Sequence, residues 1–188
     1  MIIIITGTPG TGKSTIVDLL SKTLGYEKLH VSSFLIQNKV FSEYDELHQS
    51  YIIDEEKAIQ LLDEYIKARN IVIETIYPSL ISHADKVIVL RKDPRLLYEE
   101  LRKRGWNELK VAENVMAEIL GVISSEAKEY FTKVCEINVT NRKPEEVVER
   151  VLKEQCEEID WLSIEEIGDL LISLDKIISS YEDSISDE

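Results

Sequence analysis

The chain has 188 residues, 44% hydrophobic and 31% charged, which suits one globular domain with an appendage and excludes disordered or collagen-like composition. Its net charge of −14 is unevenly placed: residues 154–188 hold 12 acidic residues against one basic, Lys176, and leave the body near neutral. Strong generic nucleic-acid binding needs clustered Lys and Arg and is not expected; the acidic end suits a basic protein partner, or serves solubility alone.

The apolar run Ile2 to Ile5 is far too short to cross a membrane and no basic leader precedes it, so a cytoplasmic location is expected. Ile2 to Thr6 reads as a parallel strand buried on both faces. After a glycine loop, Ile16, Leu19, Leu20 and Leu24 recur at helical spacing and Gly25 supplies the stop. Lys28 to Ser32 is a second short strand. Asp54 caps a helix carrying Ile59, Leu62 and Ile66, with Glu55 and Glu56 in its first turn. Ile71–Ile73 and Val87–Leu90 are two more buried strands. Asp93-Pro94 opens a helix with Leu96, Leu97 and Leu101. Residues 111–130 form one or two helices, Val134–Val139 is a fifth strand, and Pro144 opens a helix through Leu152. Strands alternating with helices predict an α/β fold with a parallel sheet.

Beyond residue 155, Ser163 and Glu166 read as a capping box for a final helix. Ile164, Ile167, Leu171, Leu174, Ile178, Tyr181 and Ile185 form a seam at alternating spacings of three and four. Two readings stay open: a helix packed back on its own domain, or one that pairs with a second copy or a partner. Cys135 and Cys156 offer no disulfide framework and no metal-ligand spacing, and are expected to be free thiols.

Gly7-Thr8-Pro9-Gly10-Thr11-Gly12-Lys13-Ser14 fits the phosphate-loop pattern G-x-x-x-x-G-K-[ST], and lies between a buried strand and an amphipathic helix as that motif requires. Its amides and the helix N-terminus favour an anion. Lys13 is placed to reach the β- and γ-phosphates, Ser14 to hold Mg²⁺ and Thr15 to contact the α-phosphate of ATP. Glu74, at the end of a neighbouring strand, is the candidate acid for the Mg²⁺ shell, unless it is a surface residue. Arg102-Lys103-Arg104-Gly105-Trp106 is the densest basic cluster; it either caps a helix or supplies a lid arginine, Arg104, over the transferring phosphoryl group. Asn141-Arg142-Lys143-Pro144 lacks the aspartate of a guanine reader, but suits a loop over the nucleotide base with Lys143 near it, or a simple lead into the next helix.

These motifs, with Tyr44-Asp45-Glu46, Asp54-Glu55-Glu56-Lys57, Lys110, Glu113-Asn114 and Asn141-Arg142-Lys143-Pro144-Glu145-Glu146, resemble adenylate kinases of the sixth-isoenzyme type. That family comprises the nuclear eukaryotic enzyme and archaeal relatives, dual adenylate kinase–ATPases tied to small ribosomal subunit maturation. The resemblance covers residues 1 to about 155. It implies a P-loop NMP-kinase core with a five-stranded parallel sheet, an NMP-binding segment at about 30–53 and a lid at about 103–113; the acidic helical extension at 156–188 lies outside it. It implies ATP binding by Gly10, Gly12, Lys13, Ser14, Thr15, Arg104 and Lys143, with Lys13, Arg104 and Glu74 as the catalytic set. It further implies ATP:AMP phosphotransfer with ATP hydrolysis, a role in 16S-type rRNA processing, and binding of a basic ribosomal protein of the small-subunit platform. The alternatives are an assembly factor switched by nucleotide with little turnover, or a kinase for another small molecule.

The chain departs from that family at two places. The family carries acid-x-His after the third strand; here the string is Glu74-Thr75-Ile76, and isoleucine can neither donate a hydrogen bond nor move a proton. The NMP segment has no arginine between His30 and Ile53, so His30, Lys39 and His48 are its basic candidates for AMP.

Overall fold

The structure, a computed structural model, describes the backbone of residues 1–186 and the side chains of residues 1–184. Ile185, the last position of the expected seam, and Asp187 and Glu188 of the acidic end lie outside the described side chains.

Five parallel strands, β1 (Ile2–Thr6), β2 (Glu27–His30), β5 (Ile71–Glu74), β6 (Lys86–Arg91) and β7 (Val134–Asn138), form one sheet in the order β2-β5-β1-β6-β7. Two more strands, β3 (Phe41–Asp45) and β4 (Ser50–Ile53), make a separate antiparallel hairpin. The isoleucines of β1 alternate between two cores. Ile3 and Ile5 face α1 (Lys13–Leu24) and α7 (Pro144–Leu152). Ile4 faces α2 (Val31–Gln37), α3 (Glu55–Ile66) and α6 (Val122–Tyr130). Both faces of β1 are therefore covered, which is why its sequence runs without polar alternation. Ile4 and Ile5 are wholly buried, and truncating either to alanine costs about 2–5 kcal/mol.

The strand order fixes where a ligand fits. β1 lies between β5, reached through α3, and β6, from which the chain proceeds outward to β7. Strand order reverses about β1, so the loop after it opens at the crevice where open α/β sheets take their ligands.

The third core stands beside the sheet. It joins α4 (Pro94–Arg102), α5 (Glu108–Leu120) and α8 (Glu165–Ser186) through Leu97, Leu101, Val115, Ile119, Trp161, Ile167 and Leu174. Of the two readings of the final helix, the structure shows packing onto its own domain: Ile167 and Leu174 are buried, and Ile164, Leu171 and Ile178 pack around them.

Two local expectations are corrected. Ser163 does not build a capping box: it ends a 3-10 turn, Trp161–Ser163, and its hydroxyl donates to the carbonyl of Asp160 at 2.8 Å. Asp160 is the cap of that turn, accepting from the amide of Leu162. Cys135 and Cys156 are not free thiols but a disulfide, with Cα atoms 5.1 Å apart. The segment after α7 folds back along β7, where the Glu157 amide donates to the Glu136 carbonyl at 2.8 Å, and this return brings Cys156 onto Cys135. Their separation of 21 residues conceals that adjacency.

Candidate active site

The loop between β1 and α1 is closely wrapped. At Gly7 a Cβ would stand 2.4 Å from the Leu90 carbonyl oxygen, and at Gly10 2.7 Å from Leu97 Cδ1; both also take positive φ, so the loop admits no larger residue at either place. Lys13, the first residue of α1, folds back over the loop and its ammonium donates to the Thr8 carbonyl at 3.1 Å. It is 5% exposed. Burial lowers its pKa to about 8; the Glu74 carboxylate pulls it upward and the Arg104 guanidinium downward. A cation so buried, with a carbonyl as its near partner, is arranged for an anion that arrives.

Parallel registry places the acid. Glu74 is opposite Ile5 on one side and His30 on the other, so the ends of β1, β2 and β5 converge. The Ser14 hydroxyl donates to the Glu74 carboxylate oxygens at 2.9 and 3.0 Å, and His30 Nδ1 contacts the same carboxylate. Serine hydroxyl and carboxylate are hard oxygen ligands of the kind Mg²⁺ takes beside phosphates and water, so these residues fit the ion. Among the described residues no group of three or more acidic, His or Cys side chains is arranged to hold a metal ion by itself, so a cation here would draw on nucleotide oxygens and water for the rest of its shell.

The loop opens into a cavity of about 810 Å³. Gly10, Gly12, Lys13, Ser14, Thr15, His30, His48, Glu74 and Arg104 all line it, and Arg104 is close enough to Lys13 to help lower its pKa. Arg104 is exposed just beyond α4, with its guanidinium 5.3 Å from the Trp106 ring centre. Among the described residues it pairs with no carboxylate, so its charge is available to a ligand. Lys39 and Lys143 do not line this cavity: Lys39 is exposed past the end of α2, and Lys143 occupies the N-cap of α7. Ile76, at the place of the histidine expected from the resemblance, lines the cavity.

Four lining residues were not singled out as site residues from the sequence: Ser32, Ser33, Ser50 and Tyr77. Lys110, Glu113 and Asn114, quoted with the resemblance, line the cavity as well, as do Pro9, Thr75 and Trp106. Lys110 lies in the first turn of α5, its ammonium 4.2 Å from the Trp106 ring centre; burial, then Arg104, lowers its pKa. The same turn clasps the β3–β4 hairpin. Asn107 donates to the Leu47 carbonyl at 2.8 Å, Lys110 to the Gln49 carbonyl at 2.6 Å, and His48 Nε2 stands 3.3 Å from Glu113. The string Lys110…Glu113-Asn114, spaced to share one helix face, is the signal that marked this wall. A second, smaller cavity of about 210 Å³ shares Ser32, Ser50, Ile76, Tyr77 and Lys110 with the first and continues into an apolar slot of Leu35, Val40, Phe41 and Tyr51, with Gln49 at its side.

A family model describing an AAA domain (AAA_18) matches residues 3–121. The protein named "Putative adenylate kinase" in Sulfurisphaera tokodaii is 81% identical over 188 residues, all of both chains. One of the same name in Saccharolobus solfataricus is 54% identical over 187 residues, 98% of this chain and 100% of that one. Among solved structures, shikimate kinase from Bacteroides thetaiotaomicron superposes with a TM-score of 0.58 over 81% of this chain and 96% of its own, at 17% identity, which shows a shared P-loop kinase fold. The chain therefore belongs to the AAA-domain family of P-loop proteins and, within it, to the group whose members in Sulfurisphaera and Saccharolobus bear that adenylate kinase name.

Proposed function

We propose that the chain is an ATP:AMP phosphotransferase with accompanying ATP hydrolysis, working with Mg²⁺ in the cytoplasm. The observation that carries this reading is a cavity lined at one end by the phosphate loop, Lys13 and the Glu74–His30 pair, and continued past Ser50 and Lys110 into an apolar slot at the other. A nucleotide-binding switch needs the first end alone, whereas group transfer needs both.

In this reading the loop amides, Lys13 and Arg104 bind the triphosphate and neutralise charge as it develops on the γ-phosphoryl oxygens. An AMP phosphate oxygen attacks the γ-phosphorus, the bond to the β–γ bridging oxygen breaks, and two ADP molecules leave. Ser14 and Glu74 would hold Mg²⁺, which when bound would neutralise phosphate charge. Lys110, with His30 and His48, faces the acceptor phosphate in place of arginine, and the apolar slot beside Gln49 takes the acceptor's base. Lys143 and Lys39, outside the cavity lining, reach the nucleotides' outer ends. Residues 1–155 act as the kinase core, with 30–53 as the acceptor segment and 103–113 as the lid, and 156–188 as an extension.

The test is a coupled assay with ATP, Mg²⁺ and each nucleoside monophosphate. ADP formed with AMP alone is expected, and Lys13→Ala is expected to lower the rate by at least about a hundredfold. Phosphate release without an acceptor reports the ATPase. An acceptor other than a nucleoside monophosphate would instead mark a kinase for another small molecule.

A second reading rests on the exposed acids of α8, Glu165, Glu166, Asp169 and Asp175. They present the charge expected by a basic small-subunit ribosomal protein, and fit a factor in small-subunit maturation and 16S-type rRNA processing whose grip is switched by nucleotide. A homodimer through α8 would have to use its outer flank, near Ile172, because the seam is spent within the chain. Pull-down with platform proteins, with and without ATP, and sedimentation test these two associations.

A further inference from the structure

We infer that Glu118 is a positioning residue for the phosphate loop and that it makes the C-terminal segment, through Trp161, a working part of the nucleotide site. This inference rests on the nucleotide-binding reading of that loop.

Glu118 lies in the last turn of α5 and is 2% exposed. A carboxylate this deep must be fully hydrogen-bonded to persist. Its four donors come from three distant parts of the chain. Oε2 accepts from the Thr8 hydroxyl at 2.6 Å, inside the phosphate loop. Oε1 accepts from Arg91 Nε at 2.8 Å and the Lys92 amide at 3.1 Å, both at the end of β6. Oε1 also accepts from the Trp161 indole N–H at 2.9 Å.

Arg91 alone does not account for this arrangement. Its guanidinium also contacts the Glu136 carboxylate and donates to the Glu118 carbonyl at 2.9 Å, so Glu118 is not its sole counter-charge. What the carboxylate adds is a tie from Thr8 to Trp161. Thr8 in turn organises the loop: its carbonyl accepts from the Lys13 ammonium at 3.1 Å and the Thr11 hydroxyl at 2.9 Å. The path from the C-terminal segment to the phosphate-binding ammonium is thus Trp161, Glu118, Thr8, Lys13, each step a hydrogen bond and all four residues buried. Packing holds its far end, since Trp161 belongs to the core that seats α8 on α5.

A tie of this kind acts on the geometry that greets the nucleotide, not on a group that touches the reacting atoms. Trp161→Phe keeps the ring and removes one donor. It is expected to raise the Kd for Mg²⁺ with a non-hydrolysable ATP analogue, and the KM for ATP, by about three- to tenfold with kcat changed less, the range typical of coupling residues. Thr8→Val is expected to weaken binding too. The double variant should bind no more weakly than Thr8→Val, because the tie is already cut. Independent, multiplying effects would overturn the inference, as would a Trp161→Phe protein with reduced thermal stability and unaltered affinity. On the unaltered chain, the Trp161 indole N–H proton resonance is expected to move on adding the analogue, with Trp106→Phe serving to assign it. A resonance that stays in place at saturation would also overturn the inference. Tight binding by the unaltered chain without any of this coupling sinks the inference alone; no binding by the unaltered chain sinks the nucleotide reading with it.

Discussion

Lys13 is a buried cation whose strongest partner comes with the substrate. Burial holds its pKa near 8, so at pH 8 about half of the free protein lacks that proton. A bound polyphosphate reverses the shift, because opposite charge at short range favours the ammonium form. Nucleotide binding at pH 8 is therefore expected to take up about half a proton, falling away below pH 7 where Lys13 is already charged. Calorimetry in two buffers of different ionisation enthalpy reads this directly, and identical heats at pH 8 would count against the assignment. At the neighbouring strand end, Ile76 lines the cavity but can take no part in proton transfer. Ile76→His is expected to raise ATP hydrolysis by at least about tenfold by restoring a group that can orient or deprotonate water; a lower rate would reject that reading of the position.

At the scale of elements, the hairpin and α5 together wall the cavity away from the phosphate loop. Asp45 hydrogen-bonds His48 and raises its pKa above the ordinary 6.5, and Glu113 across the interface adds to the effect. A histidine with a raised folded value contributes fully below its unfolded pKa, and the contribution is lost as pH climbs through the raised value. The clasp is expected to loosen on that alkaline side, and a His48 NMR titration with a midpoint at or below 6.5 would contradict it. This hairpin was not legible in the sequence. Phe41, Tyr44 and Tyr51 pack on one another rather than on a core, so no apolar alternation announces the strands, and its turn holds Gln49 at positive φ without a glycine. The elements that were legible carry their signals locally: the isoleucines of β1, and the caps Asp54 and Asp93, each of which accepts from an amide in its own first turn. The phosphate loop was legible for the same reason, since one octapeptide contains it. Glu118 was not, because its burial is decided by partners from three remote segments.

Across the whole molecule, the disulfide fastens the chain's return from α7 to β7 just before the C-terminal segment begins. Closing a loop of this length restricts the unfolded chain by about 3 kcal/mol. Cys156→Ser is thus expected to lower the melting temperature by about 6–12 °C, read by calorimetry. A melting curve unmoved by the substitution or by reductant would show that the bond contributes nothing. The central position of β1 has a consequence of a different kind. Its two neighbours, β5 and β6, lie some 70 and 85 residues downstream, and Trp161 later still. During synthesis the first strand therefore leaves the ribosome with no edge to join, and a truncated nascent chain has an octapeptide in the right order but not yet a cradle. The motif written first is among the last to take shape.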